Sequence, residues 1–284
     1  MQKEDMDNRE KLQLDGNKML SHLDTIKTWS QDQWKVDPMF IAFSPSSMCN
    51  HKCTFCVYHY KEFKPIYFPK ERYFSLVDEW EKMEVKSVFF AGDGDPLLNK
   101  DCVEMVRYTK EKGIDIAMNT NARLLNEERI ISLVKDLSWI RISLNAGTKE
   151  SYGKIHGTSE KDFDIVLKNL ELMVKHKRND TDFVIGVQCL LLEENHREIR
   201  DLAKKLKEIG VDYLAIKPFL QHPLIKYSTE IQNTNEVFKE LKKAESLNDE
   251  HFKFVLRETN FKPATKRKYK KHHCCSAKFT YISP

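Results

Sequence analysis

From residue 38 onward, short apolar runs alternate with longer stretches in which apolar residues recur at helical spacing. The short runs are nearly continuously apolar, which predicts strands covered on both faces. Six strands are predicted, at residues 39–43, 87–91, 114–118, 139–144, 183–192 and 213–217. The intervening stretches predict helices at 75–83, 101–112, 126–134, 161–177 and 195–209. This alternation implies right-handed crossovers and a parallel α/β sheet, either doubly wound and open or an incomplete barrel.

The two ends of the chain follow other patterns. Residues 8–34 carry apolar positions at roughly helical spacing and predict a leading amphipathic helix. Beyond Phe219 the alternation stops: residues 235–247 predict a helix, and residues 252–256 alternate like an exposed strand. We therefore divide the chain into a helical lead at 1–37, a core at 38–220 and a short C-terminal extension at 221–284.

Composition excludes several classes of protein. The 284 residues include 47 Lys and Arg against 43 Asp and Glu, a net charge of +4, which is far from the basic balance of a dedicated nucleic-acid-binding protein. No apolar run approaches the roughly 18 residues of a membrane span. The first residues contain no apolar stretch that would serve as a signal peptide. We expect a cytoplasmic protein that contacts neither membrane nor nucleic acid.

Three of the seven cysteines lie within the segment CNHKCTFC, at the spacing C-x3-C-x2-C. These are Cys49, Cys53 and Cys56. An odd number of cysteines without a secretory signal argues against disulfides, and three thiolates on one loop favour a soft metal. One candidate is zinc, with His51 or His59 as the fourth ligand. The other is a four-iron cluster on three protein sulfurs, which leaves one iron open to a non-protein ligand.

A glycine-rich loop, AGDGDP, follows the second predicted strand. Ligands bind at this end of the strands in parallel α/β folds. Gly92 and Gly94 permit close approach of the backbone, and Asp95 supplies a carboxylate. The Gly-x-Gly pattern is also found in dinucleotide-binding loops, but Leu97 stands where the third glycine of that motif belongs.

Polar residues also mark the fourth and fifth predicted strands. Ser143 and Asn145 end the fourth strand on the same side, and their short polar groups suit hydrogen bonds to a ribose diol. Gln188 interrupts the apolar fifth strand, which predicts that it points to the interior with a partner.

The cysteine segment resembles the signature of the radical S-adenosylmethionine (SAM) enzymes, in which an aromatic residue, here Phe55, precedes the last cysteine. The resemblance implies a [4Fe–4S] cluster on the three cysteines, with the open iron chelated by the amino and carboxylate groups of SAM. It also implies a partial (β/α)6 barrel of the TIM type over about residues 38–220.

Within that barrel the glycine loop resembles the family's GGE motif, with Asp95 one methylene shorter than the usual Glu. The end of the fourth strand resembles its ribose motif. The predicted cofactor-binding residues are Gly92, Gly94, Asp95, Ser143, Asn145 and Gln188.

The resemblance implies an enzyme that receives one electron from a reduced flavodoxin- or ferredoxin-type donor. Such an enzyme cleaves SAM to methionine and a 5′-deoxyadenosyl radical, which abstracts hydrogen from a peptide, sugar or other small-molecule substrate. The first alternative is a non-catalytic zinc or iron–sulfur protein that binds nucleic acid through the basic run at 266–271. The second is a nucleotide-dependent oxidoreductase with Gly92 and Gly94 at a pyrophosphate.

Near the C-terminus, Cys274 and Cys275 precede an apolar, strand-like stretch. This arrangement resembles the opening of the SPASM or twitch domain, which binds auxiliary iron–sulfur clusters in one radical SAM subgroup. The sequence stops before the further cysteines of that pattern. We therefore expect a truncated chain, and an auxiliary cluster only in a full-length form.

Overall fold

The computed structural model describes residues 27, 37–60, 64–177, 182–219, 225–229, 231, 234–256 and 279–282. Apart from residue 27, the predicted leading helix lies outside these residues. The basic run at 266–271 and the pair Cys274 and Cys275 lie outside them as well. Among the helices that the structure describes, none has the length and apolar character to cross a lipid bilayer.

Within the described residues, eight parallel strands form one sheet that is surrounded by helices. The strands are β1 (Phe40–Phe43), β2 (Ser87–Phe90), β3 (Asp115–Thr120), β4 (Trp139–Ser143), β5 (Val184–Leu191), β6 (Tyr213–Pro218), β7 (Lys253–Leu256) and β8 (Phe279–Ile282). The helices are α1 (Lys70–Lys82), α2 (Cys102–Glu111), α3 (Glu127–Asp136), α4 (Lys149–His156), α5 (Lys161–His176), α6 (Ile199–Ile209) and α7 (Thr234–Lys243). Short 3₁₀ helices span Val57–Tyr60, Pro96–Leu98 and Ala244–Leu247.

The order of the strands in the sheet is β7-β6-β5-β4-β3-β2-β1-β8. The predicted α/β class is confirmed, and β1 to β6 lie within two residues of the six predicted strands. Two further strands extend this six-strand unit at its edges: β7 pairs with β6, and β8 pairs with β1. The strand predicted at 252–256 is present, but its predicted exposure is wrong, because Phe252 and Phe254 are 1% and 3% exposed. The division of the chain into three segments stays a prediction.

Helix α4 has no counterpart among the predicted helices, although its end signals are present in the sequence. The Thr148 side chain accepts a hydrogen bond from the Ser151 amide in a reciprocal capping box at the N-terminus. At the C-terminus, Gly157 adopts a left-handed conformation with φ of 57°. The helix is eight residues long and only partly apolar, so periodicity alone did not reveal it.

Side chains alternate between the two faces of the sheet. One face carries residues such as Phe43 and Phe90, which pack in an aromatic cluster with Tyr73 of α1 at centroid distances of 4.8 to 5.6 Å. On the other face, the guanidinium of Arg141 lies over the rings of Phe89 and Trp139. Farther along that face, toward the carboxyl ends of the strands, the residues become polar and line a cavity.

Candidate active site

A cavity of about 190 Å³ lies at the carboxyl ends of β1 to β5. The nine residues predicted to bind the cluster or SAM all line it: Cys49, Cys53, Cys56, Gly92, Gly94, Asp95, Ser143, Asn145 and Gln188. Its wall also contains His51, Phe55, Asn119, Thr120, Asn121, His156 and Leu190. The fold therefore brings together six segments of the chain, and which ligands these residues bind stays a prediction.

The cysteine loop, residues 49–56, rests on the C-terminal end of α4. The Lys52 amide donates to the carbonyl of His156 at 3.0 Å, and the Thr54 amide donates to that of Ile155 at 2.9 Å. These bonds satisfy carbonyl groups that a helix terminus leaves without partners. Gly157 lies so close that an added Cβ would overlap the Lys52 carbonyl. Helix α4 thus holds the middle of the cysteine loop.

The glycine loop holds the start of the cysteine loop. The amide of Asp95 donates to the carbonyl of Met48 at 2.8 Å, one residue before Cys49. A Cβ on Gly94 would overlap that same carbonyl, and Gly92 has a φ of 124°, which disfavours other residues. The two glycines therefore allow the two loops to lie in direct contact.

The carboxylate of Asp95 is 3% exposed and accepts hydrogen bonds from three groups. These are the Leu97 amide at 3.0 Å, the Thr120 hydroxyl at 2.8 and 3.0 Å, and the Asn121 amide at 2.8 Å. Burial raises the pKa of Asp95, and these hydrogen bonds oppose that shift. The carboxylate ties the glycine loop to the end of β3, whereas its contact with an ammonium group of SAM stays a prediction.

Asn145 is also held by internal hydrogen bonds. Its side-chain oxygen accepts from the Leu190 amide at 2.7 Å, and its carbonyl accepts from the Asn195 side chain at 2.8 Å. Its own amide donates to Nε2 of His156 at 3.0 Å. Asn145 therefore links the ends of β4 and β5 to α4.

Gln188 differs from these two residues. It pairs in register with Ser143 across β4 and β5, so both side chains face the cavity. Its Oε1 atom is buried and has no hydrogen-bond partner among the described residues. A buried acceptor without a donor costs free energy unless a ligand or water satisfies it. The sequence predicted an internal partner for the Gln188 side chain, and its Oε1 atom has none within the described chain.

Two histidines lie beside the cysteines, and sequence reasoning assigned a role only to His51. The ligand atoms of His51, Cys53 and His156 lie within 4.8 Å of one another. Burial lowers the pKa of His51 to about 4 and that of His156 to about 3, so both rings are neutral at neutral pH. The signal for His156 was the capping pattern of α4, whose last residue it is.

The cysteine thiols lie in an environment that disfavours isolated thiolates. Cys49 is exposed at the cavity wall yet surrounded by protein atoms, and this desolvation raises its pKa to about 11. Burial also raises the pKa of Cys53, and the charges of Cys49 and Cys56 raise it further. All three cysteines line the same cavity. A bound cation reverses this rise in pKa, because metal coordination stabilises the thiolate.

Comparison with known proteins identifies the family. Residues 43–217 match the family model described as the radical SAM superfamily, which is more than half of the chain. The chain belongs to the radical SAM superfamily. The matched region includes the three cysteines, the glycine loop and all of β2 to β5, and the resemblance noted in the sequence is confirmed.

The chain is also similar to curated proteins of this kind. It is 26% identical over 182 residues to the tungsten-containing aldehyde ferredoxin oxidoreductase cofactor-modifying protein of Pyrococcus furiosus, covering 62% of this chain and 50% of that one. It is 28% identical over 199 residues to Fe-coproporphyrin III synthase of Methanosarcina barkeri, with 68% and 45% covered. A probable GTP 3′,8-cyclase of Saccharolobus islandicus is 24% identical over 214 residues, with 72% and 66% covered. The chain spans about half to two thirds of these relatives.

Solved structures support the fold. SuiB of Streptococcus suis, bound to S-adenosylmethionine, superposes with a TM-score of 0.70 at 14% identity, over 98% of this chain and 64% of that one. The enzyme anSMEcpe, with bound AdoMet and a peptide, gives a TM-score of 0.59 at 22% identity, over 78% and 64%. At these identities the likeness concerns the fold.

The residues around the cavity fit the cofactors that the family implies. Three cysteine sulfurs are the donor set of a cluster with one open iron. Gly92 and Gly94 line the cavity with backbone atoms alone, which leaves room for a ligand beside the cysteines. The unpartnered Oε1 of Gln188 offers an acceptor to a ligand in the cavity.

Proposed function

We propose that Cys49, Cys53 and Cys56 hold a [4Fe–4S] cluster and that SAM binds in the adjoining cavity, at the open iron. The observation that carries the proposal is the convergence of the three sulfurs with the ends of β2, β4 and β5 on one cavity. When bound, this cofactor pair supplies reductive cleavage of SAM and a radical that abstracts hydrogen from a substrate.

The chain's own residues bind and orient these groups. Gly94 lets the glycine loop contact the cysteine loop, and Asp95 fixes that loop to β3. Ser143 and Gln188 face the cavity and offer hydrogen bonds to the ribose or adenine of SAM. The Arg141 side chain packs on Phe89 and Trp139 on the same face of the sheet and donates a hydrogen bond to the side-chain oxygen of Asn119, a residue of the cavity wall.

For the substrate and the electron donor we propose only a chemical class. SuiB has been solved with a precursor peptide, and the relatives named above are a cofactor-modifying protein, a synthase of Fe-coproporphyrin III and a probable GTP cyclase. From the sequence we propose a peptide, sugar or other small molecule as substrate, and a reduced flavodoxin- or ferredoxin-type protein as donor. The auxiliary cluster of a longer form stays a prediction, because Cys274 and Cys275 lie outside the described residues.

The test compares two cysteine variants. Wild-type protein, reconstituted with iron and sulfide under nitrogen and incubated with SAM and dithionite, should produce 5′-deoxyadenosine detectable by chromatography. Cys53→Ala should lose the brown cluster and this product. Cys102→Ala removes a buried thiol in α2 that does not line the cavity, and should keep both. Equal activity in the two variants, or none in a fully loaded wild type, would contradict the proposal.

A zinc protein is the second candidate, because His51, Cys53 and His156 lie close enough to share an ion. Metal analysis separates the two. If the site holds an iron–sulfur cluster, we expect about four irons per chain and a His51→Ala variant that still binds iron. If the site holds zinc, we expect one zinc per chain and loss of that ion in His51→Ala.

A further inference from the structure

His156 lies against the sulfur of Cys53, although 103 residues separate them in the sequence. The Nδ1 atom of the imidazole is 3.5 Å from the Cys53 sulfur, a distance within the range of hydrogen bonds to sulfur. The ring is 1% exposed and stacks on Tyr152 at a centroid distance of 4.3 Å. Packing therefore fixes the direction in which Nδ1 points.

The other ring nitrogen determines where the proton lies. Nε2 faces the backbone amide of Asn145 at 3.0 Å, and an amide is always a donor. Nε2 must accept this bond, and a neutral imidazole carries its one proton on the remaining nitrogen. Nδ1 of His156 is therefore the protonated atom, and it donates toward Cys53. The same assignment argues against His156 as a metal ligand, since a metal at Nδ1 would require the proton on Nε2, opposite a donor.

The imidazole is held from several directions. The backbone carbonyl of His156 accepts a hydrogen bond from the Lys52 amide of the cysteine loop. The C-terminal end of α4 therefore positions both the ring and the loop. Asn145, which fixes the tautomer, is itself clamped by Leu190 and Asn195 at the end of β5. By contrast, the Cys49 sulfur faces an amide of its own loop, that of His51, at 3.5 Å, and the Asn121 side chain at 3.8 Å.

We propose that His156 is a positioning residue that donates a hydrogen bond from Nδ1 to the Cys53 sulfur of the loaded cluster and raises the reduction potential of that cluster. The inference rests on the proposed function. Reduction adds one electron to the cluster, supplied by dithionite in the test, and makes or breaks no bond of His156. A donor to a coordinating sulfur stabilises the reduced, more negative state, and hydrogen bonds of this kind set iron–sulfur potentials.

Two substitutions separate the donor from the rest of the ring. His156→Gln places an acceptor near the Nε2 position for the Asn145 amide but has no donor at the Nδ1 position. His156→Asn places an amide donor near Nδ1. Tyr152→Phe alters the stacked neighbour, whose hydroxyl has no partner among the described residues, and leaves the imidazole in place.

The measurement is the cluster potential, from a redox titration followed by electron paramagnetic resonance. His156→Gln should make reduction about tenfold less favourable, a shift of about 59 mV toward negative values for a one-electron couple. His156→Asn and Tyr152→Phe should stay near the wild-type value. An unchanged potential in His156→Gln, or an equal shift in His156→Asn, overturns the inference while leaving the proposed function intact. A wild type that loads no cluster overturns the proposed function instead.

A second measurement applies if the variants fail to load. Wild-type protein and the His51→Ala variant are prepared with histidine whose ring nitrogens alone carry the heavy isotope, and their reduced clusters are studied by pulsed electron paramagnetic resonance. A weakly coupled histidine ring nitrogen is expected in both proteins, because His156 is present in both. Absence of that coupling from His51→Ala overturns the inference.

Discussion

The cavity has two sides that differ in how their polar groups are satisfied. On the β2–β3 side (Asp95, Thr120, Asn121), the Asp95 carboxylate already accepts hydrogen bonds from three donors of the protein. On the β4–β5 side (Ser143, Gln188), the Gln188 oxygen is buried without a partner in the described chain. The first side therefore holds the loops in place, and the second has hydrogen-bonding capacity left for a ligand.

This difference changes how a predicted binding residue should be interpreted. Asp95 and Gln188 were both predicted to contact the cofactor, and both line the cavity. A group whose hydrogen bonds are already made inside the protein contributes chiefly to folding, whereas an unpartnered group contributes chiefly to binding. Substitutions should separate these two contributions.

The largest effect is expected for Gly94→Ala. Its new methyl group would overlap the Met48 carbonyl and push the glycine loop away from the cysteine loop. We expect a loss of about 3 kcal/mol in the free energy of unfolding and little cluster bound. Gly113→Ala is the control, because the added atom there meets open space and only the positive φ of 74° disfavours it. It should cost about 1 kcal/mol and load normally. Urea unfolding and iron analysis measure both, and equal loading would contradict the contact between the loops.

The second effect concerns Asp95→Ala on the β2–β3 side. Removal of the carboxylate leaves the buried amides of Leu97 and Asn121 without acceptors. We expect the free energy of unfolding to fall by about 2 kcal/mol, as measured by urea denaturation. A variant with wild-type stability and weaker SAM binding would show instead that Asp95 acts on the ligand directly.

Gln188→Leu tests the β4–β5 side and should have the reverse pattern. Stability should be unchanged or higher, because the lost oxygen has no partner among the described residues. Affinity of the loaded protein for SAM should fall about fivefold, the value of one hydrogen bond of about 1 kcal/mol. Calorimetric titration with SAM measures this, and a destabilised variant with normal affinity would place Gln188 with the loop-holding residues.

The smallest effect is expected for Tyr152→Phe. Its hydroxyl is also buried without a partner in the described residues, but it does not line the cavity. The free energy of unfolding, measured by thermal denaturation, should rise by no more than about 1 kcal/mol, and the affinity for SAM should be unchanged. If Tyr152→Phe lost as much SAM affinity as Gln188→Leu, an unpartnered polar group would affect binding whether or not it lines the cavity, and the comparison would fail.

Much of the fold could be predicted from local pattern. Nearly continuous apolar runs located β1 to β6, although every second residue of β1 and β2 is only half-buried. Helix α4 and the burial of β7 could not be predicted in this way. The helix is short and only partly apolar, and Phe254 is buried because of its place beside β6 at the edge of the sheet.

The sequence by itself determined the order of strands β1 to β6 along the chain and predicted three cysteines as cluster ligands. Both depend on residues that are close together in the chain. The requirement for glycine at position 94 comes instead from the Met48 carbonyl, which is distant in sequence. The tertiary structure alone decided that the Asp95 carboxylate accepts hydrogen bonds from Thr120 and Asn121 at the end of β3. It also decided that the Gln188 oxygen lacks a partner within the described chain, and that His156 lies against Cys53. These outcomes depend on which side chains meet when the strand ends and α4 pack together. Spacing along the chain carries no information about such contacts between distant residues.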